Sequence, residues 1–194
     1  MIRVLCVGWA VVLVCGAAAQ AQPPAGGGQR RTLVQAIQGS YNNVKMNLTQ
    51  AAEKMPEADF TFKPGSMPEV RTYGQLFAHV AQAQFGGCAA LTGKPNPMTG
   101  KQLEQELKTK ADIVKALGDS FALCDEAYSS MNDTNAMEFV KQGQNEVQRA
   151  AALMNNVVHD NEMFGTVAVY MRSKGLVPPS TERMQGMRGR GGQH

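Results

Sequence analysis

The 194-residue sequence predicts an all-α protein, an antiparallel four-helix bundle, on three observations. Apolar residues recur at spacings of three, four and seven along four long segments. Proline- and glycine-rich breakers separate those segments. No convincing period-two stretch or internal repeat lies between them.

The chain opens with Arg3, an apolar run from Val4 to about Cys15, and small residues in an Ala-x-Ala pattern. This is the layout of a secretory signal peptide, assigned to residues 1–21. The run is shorter than the roughly 18 to 20 residues of a membrane span, and Val14 precedes Cys15 where a lipoprotein would carry Gly or Ala. The expectation is an exported, periplasmic protein with no stable membrane anchor. Residues 22–31, "QPPAGGGQRR", form a flexible leader.

The first helix begins at "TLVQAIQGSYNN". Leu33, Ile37, Val44, Leu48 and Ala51, with Tyr41 between them, line one face, and Gly39 weakens the helix without ending it. Pro56 stops it, and "PEADFTFKPGSMPEVR" reads as a loop held by Phe60 and Phe62. Thr72 with Gln75 three residues on is a capping-box signature for the second helix. Its stripe is Leu76, Val80, Ala83, Gly87 and Leu91, and it ends at Gly93 before "KPNP". The third helix spans "TKADIVKALGDSFALCDEAYSSM", with Ile113, Leu117, Phe121 and Cys124 on one face and Val114 and Tyr128 beside it. "MEFVKQGQ" reads as a short extended piece or turn. The fourth helix is placed from about Asn145 to Lys174, closed by Gly175 and "VPP".

Residues 32–180 thus form the bundle, and 181–194 a disordered Gly/Arg-rich tail. With a net charge of only +3 over the chain, the tail's arginines read as a solvated end, so no nucleic-acid partner is expected. Cys6 and Cys15 leave with the signal, which leaves Cys88 and Cys124 as an even pair in an oxidising compartment. A disulfide between them is favoured over two buried thiols.

Of the three histidines, His194 is in the tail, whereas His79 and His159 sit among apolar positions of the second and fourth helices. Facing helices of a bundle can present imidazoles into one pocket, and imidazole is a common metal ligand. A hydrogen-bonded structural histidine is the plainer reading. Asp160, Asn161 and Glu162 offer acid, base or supporting groups, or a solvent-facing polar strip. Tyr170 and Arg172 suit either a ligand or helix-end packing. No phosphate-binding Gly loop or nucleophile elbow is present.

"RTYGQLFAHVAQAQ" resembles the second-helix signature of the DinB family, "HDNEMFGTVAVYMRSKGLVPPST" its last-helix signature, and "FTFKPGSMPEVRT" its aromatic–x–Pro loop. The resemblance covers most of residues 32–180. It implies a DinB/YfiT-like bundle, a divalent metal (Zn, Ni or Mn) held by three histidines, a metal-dependent hydrolase or transferase acting on an unidentified small molecule, and a possible homodimer. Carried over by position, the ligands fall on His79 and His159, while the third position holds Met163, a poor ligand for such metals.

Three readings follow from that departure. Glu162, at i+3 from His159, could serve as the third ligand, better placed than Asp160, which turns about 100° away. His, His and Met could instead suit Cu(I). Or no metal is bound, and the chain is a non-catalytic bundle that binds a small ligand or a protein partner.

Overall fold

The computed structural model describes residues 30–191, so the segment read as a signal peptide, most of the expected leader and residues 192–194 lie outside the described residues. Residues 31–191 belong to one compact unit. Its long helices are α1 (Leu33–Lys54), α2 (Tyr73–Thr92), α4 (Lys110–Ser130) and α5 (Arg149–Ser173), with a one-turn α3 (Leu103–Glu106) before α4. α2 packs along α4 and α1 along α5, which gives the expected four-helix bundle. No described helix is long and apolar enough to cross a membrane.

The helix starts follow from local chemistry. Thr72 accepts from the backbone N–H of Gln75 while the Gln75 side chain accepts from the Thr72 N–H. Thr32 and Gln35 form the same reciprocal cap on α1. Such a cap satisfies two backbone donors that the first helical turn leaves free. α2 ends at Gly93 and α5 is followed by Gly175, both in the left-handed region at φ 69° and 72°. Gly74 is required for another reason: a Cβ there would lie 2.9 Å from the Ile113 side chain and 3.2 Å from the Phe60 carbonyl oxygen. Its N–H donates to that carbonyl, which ties the Phe60 loop to the start of α2.

The core-facing stripes differ from expectation at several positions. Leu33 is exposed and Val34 buried. On α2 the buried face is Tyr73, Leu76, Phe77, Val80, Gln84 and Cys88, whereas Ala83 is exposed and Gly87 half-buried. The large aromatics at 73 and 77 win the interior because they bury more apolar area than Ala or Gly. Cys88 and Cys124 form a disulfide joining α2 to α4, with Cα atoms 5.1 Å apart.

Two expectations are corrected. The fourth helix starts at Arg149, because Phe139–Gln142 (β1) and Asn145–Gln148 (β2) pair as an antiparallel hairpin. The turn is tight, with Gly143 at φ 62°. Strands of four residues are too short to show a period, and only the Val140–Val147 pair is apolar on both strands. Residues 181–191, assigned to a disordered tail, are instead helical, in α6 (Pro179–Gly191). α6 is held against α1, with Arg183 donating to Asn43 and Asn47 and Lys54 paired with Glu182. The Gly-rich composition understated these polar anchors.

Candidate functional site

His79 on α2 and His159 on α5, 80 residues apart in sequence, meet with their Nε2 atoms 3.2 Å apart. Both rings are partly buried. Each ring has a carboxylate at its other nitrogen. Nδ1 of His79 lies 2.7 Å from Glu104 Oε1 on α3, and Nδ1 of His159 lies 3.3 Å from Asp160 Oδ1.

The carboxylates are themselves held. Arg71 donates from Nε to Glu104 Oε2 at 2.7 Å and from Nη2 to Oε1 at 3.3 Å. The Arg71 carbonyl accepts from the Tyr170 hydroxyl at 2.8 Å, which fastens this loop to α5. α3 is docked on α2 by the Leu103 N–H, which donates to Gln82. Burial alone pushes the Glu104 carboxyl up, but the hydrogen bonds from Arg71 and His79 outweigh it and hold it below the ordinary carboxylate range.

Asp160 is fully buried. Its Oδ2 accepts from Gln84 Nε2 at 2.8 Å, and Gln84 Oε1 accepts from the Ser120 hydroxyl at 2.7 Å. Desolvation raises the Asp160 carboxyl above its usual range, and the bonds from His159 and Gln84 only partly offset it. The result is a polar chain through the bundle: Ser120 on α4, Gln84 on α2, Asp160 and His159 on α5, His79 on α2, Glu104 on α3, then Arg71.

This arrangement has a chemical consequence. With each Nδ1–H donated to its carboxylate, both Nε2 atoms present lone pairs to one another. Two lone pairs at that distance repel, so either a cation lies between them or one ring takes the other tautomer and donates its Nε2–H to its neighbour. A carboxylate behind each imidazole is also the usual support of a metal-bound histidine, since it sets the tautomer and raises ligand basicity. The Nε2 separation matches the edge of about 3.3 Å expected when two nitrogens sit on a tetrahedral metal at about 2.0–2.1 Å. The two imidazoles therefore fit as two ligands of a metal. The described residues place no group of three or more His, Cys, Asp or Glu side chains to hold one together.

The other candidates fall as follows. Glu162 is exposed, and the structure does not bring it to the pair. Met163, one turn beyond His159, is buried. Asp160 is turned inward, behind His159 on the side away from His79. Asn161 is exposed and donates to the Val157 carbonyl. Tyr170 packs in the core beside Tyr73, and Arg172 donates to Ala168 O and Thr181. Glu104, Arg71, Gln84 and Ser120 were not foreseen. For Gln84, Asp160 and Ser120 a signal existed: each is a polar residue at a core register, with Val80 and Cys88, Val157 and Phe164, and Leu117 and Cys124 on the same faces.

A family model described as the DinB superfamily matches residues 41–162, more than half of the chain. Among solved structures, a DinB-like protein from Bacillus cereus is 16% identical with a TM-score of 0.61, over 74% of this chain and 93% of its own. A DinB-like protein from Bacillus subtilis is 17% identical with a TM-score of 0.54, over 72% and 92%. A conserved protein from Enterococcus faecalis is 12% identical with a TM-score of 0.55, over 74% and 97%. At these identities the likeness carries the fold. No curated protein matches the chain.

Proposed function

The chain belongs to the DinB superfamily, and on that premise we propose that His79 and His159 hold a divalent metal, Zn, Ni or Mn, in a two-imidazole site serving a metal-dependent hydrolase or transferase. The observation that carries this is the convergence of two Nε2 atoms at 3.2 Å, each ring backed by a carboxylate. Bound there, such a metal supplies Lewis acidity toward a water or thiol. The chain's own residues do the rest. Glu104, clamped by Arg71, orients His79. Asp160, clamped by Gln84, orients His159. The third histidine's position holds buried Met163, which leaves any further ligand to be supplied by solvent or substrate. The signal-like amino terminus and the Cys88–Cys124 disulfide both support an exported, periplasmic protein, since disulfides persist in oxidising compartments.

Buried Met163 favours a second reading, in which the two rings hydrogen-bond to each other, no metal is held, and the bundle binds a ligand or a partner without catalysis. Metal content of the tag-free protein after incubation with Zn²⁺, Ni²⁺ or Mn²⁺, beside His79→Ala/His159→Ala, separates the two. Near-stoichiometric metal in the parent alone supports the metal reading. Equal, near-zero metal in both proteins refutes it. Met163→His is expected to raise affinity by at least about tenfold, equivalent to about 1.4 kcal/mol.

A further inference from the structure

The Cys88–Cys124 disulfide lies one helical turn from the polar chain that ends at His159. Cys88 follows Gln84 by four residues on α2, and Cys124 follows Ser120 by four residues on α4. Side chains at that spacing share a helix face. The covalent bond and the Ser120–Gln84 hydrogen bond are therefore successive rungs between the same two helices. The rungs touch, with Cys124 Sγ 3.9 Å from the Gln84 carbonyl oxygen. Past the disulfide, α2 and α4 are joined by the pair of Lys94 and Glu126, both half-exposed. An ion pair so exposed contributes little.

The hydrogen-bonded rung has a ready substitute within α4. The Ser120 hydroxyl carries one proton and has two acceptors in reach, Gln84 Oε1 at 2.7 Å and the Leu117 carbonyl oxygen at 2.8 Å. If α2 and α4 part slightly, that proton falls back on Leu117, one turn away on its own helix. Gln84 Oε1 is then a buried acceptor without a donor, which is unfavourable. The amide is no longer fixed in the orientation that presents Nε2 to Asp160 Oδ2 at 2.8 Å.

We infer that the Cys88–Cys124 disulfide is a positioning element of the histidine site. By holding the two helices at a Cα separation of 5.1 Å, it keeps the Ser120 proton on Gln84, and through Gln84 it keeps Asp160 and His159 in place. Reduction moves two electrons and two protons from a dithiol to the disulfide, giving two cysteine thiols and the dithiol's own disulfide. The reduced protein keeps its fold through the buried apolar core, while Gln84 loosens from Asp160. His79 keeps its bond to Glu104, which Arg71 holds from outside α4. This link bears on the site proposed above, but its test needs no metal and is decided apart from the metal reading.

Hydrogen exchange in the metal-free protein, followed by NMR, reads the effect. Gln84 and Leu48 are both fully buried, and Leu48 lies on α1, outside the polar chain. A loss of global stability speeds exchange at the Gln84 side-chain amide and the Leu48 backbone amide together, whereas release of Gln84 speeds its side chain alone. Reduction with dithiothreitol should speed Gln84 side-chain exchange at least about tenfold relative to Leu48. Cys88→Ala/Cys124→Ala should do the same without requiring the reductant to reach a buried bond. Ser120→Ala, with the disulfide intact, removes the same donor and should match that change. Reduction of Ser120→Ala should then add less than about twofold, because effects acting through one link do not add.

Unchanged Gln84 exchange in the disulfide-free protein or in Ser120→Ala overturns the proposal. So does an effect of reduction that survives undiminished in Ser120→Ala. Equal acceleration at Leu48, or outright unfolding of the disulfide-free protein, overturns it too, since the bond would then hold the fold rather than the site.

Discussion

Two clusters of buried polar groups cross this bundle, and they end differently. On the α1–α4 side, Tyr41 and Tyr128 stack with ring centroids 3.7 Å apart. Tyr41 donates toward Asp125 and the Phe121 carbonyl, and Tyr128 toward the Leu153 carbonyl and Asn156. Desolvation first, then Asp125, pushes the Tyr41 phenol far above its ordinary range, so it stays a neutral donor. Both phenols there reach acceptors on neighbouring helices, of which Asp125 is part-exposed. On the α2–α5 side the chain from Ser120 to Asp160 and from Arg71 to Glu104 leads inward to two imidazole nitrogens facing each other. One cluster closes on itself and holds helices together. The other terminates in two partly exposed imidazoles whose Nε2 atoms lie 3.2 Å apart.

That contrast can be broken most forcefully at Tyr41. Tyr41→Ala removes a fully stacked aromatic and should destabilise the fold by about 3–5 kcal/mol. Urea denaturation measures the loss. Metal uptake by the protein that remains folded should be unchanged, and a parallel loss of uptake would mean the two clusters are coupled.

A smaller effect is expected at Asp160. Asp160→Ala strands the Gln84 amide and the His159 Nδ1–H in the interior, at about 1–3 kcal/mol. Asp160→Asn keeps the bond from Gln84 and removes the charge. Because the folded carboxyl lies above its usual range, its contribution to stability is fully present below the unfolded value and is lost as pH rises through the folded one. Asp160→Asn should therefore gain on the parent as pH increases. A stability difference that stays flat with pH would show that Asp160 does not feel the burial assigned to it.

The smallest effect on the fold is predicted at Glu104, which is part-exposed. Its carboxyl is depressed, so its contribution is present above the ordinary value of about 4.5 and is lost as pH falls through the folded value. The stability gap between the parent and Glu104→Gln should narrow below that pH, as followed by thermal melts. For metal affinity the same substitution should be the more damaging, at about 10- to 100-fold. Unaltered affinity would sever Glu104 from the site.

Much of the α1, α2 and α4 layout was readable because its signals are local. Thr72 with Gln75, Gly93, Gly175 and the breaker at Pro56 act within a turn or two of themselves, and apolar recurrence identifies long helices whatever they pack against. The hairpin of residues 139–148 escaped because two four-residue strands hold too few positions to show a period. The α6 helix escaped because its anchors, Arg183 to Asn43 and Lys54 to Glu182, join residues far apart in sequence.

The same division runs through the site. The sequence by itself determined that two histidines stand on core-directed stretches of α2 and α5, and that Met163 stands one turn beyond His159. Only the tertiary structure decided that Asp160 points inward onto Gln84 while Glu162 faces solvent, and that Glu104, from a segment with no pattern of its own, reaches His79. Helical spacing states the angle between neighbouring side chains to within a fraction of a turn. It does not state how α5 is rotated against α2 and α4. That rotation is set by the summed packing of three other helices, and it selects which of two acids two residues apart, Asp160 and Glu162, lies beside His159.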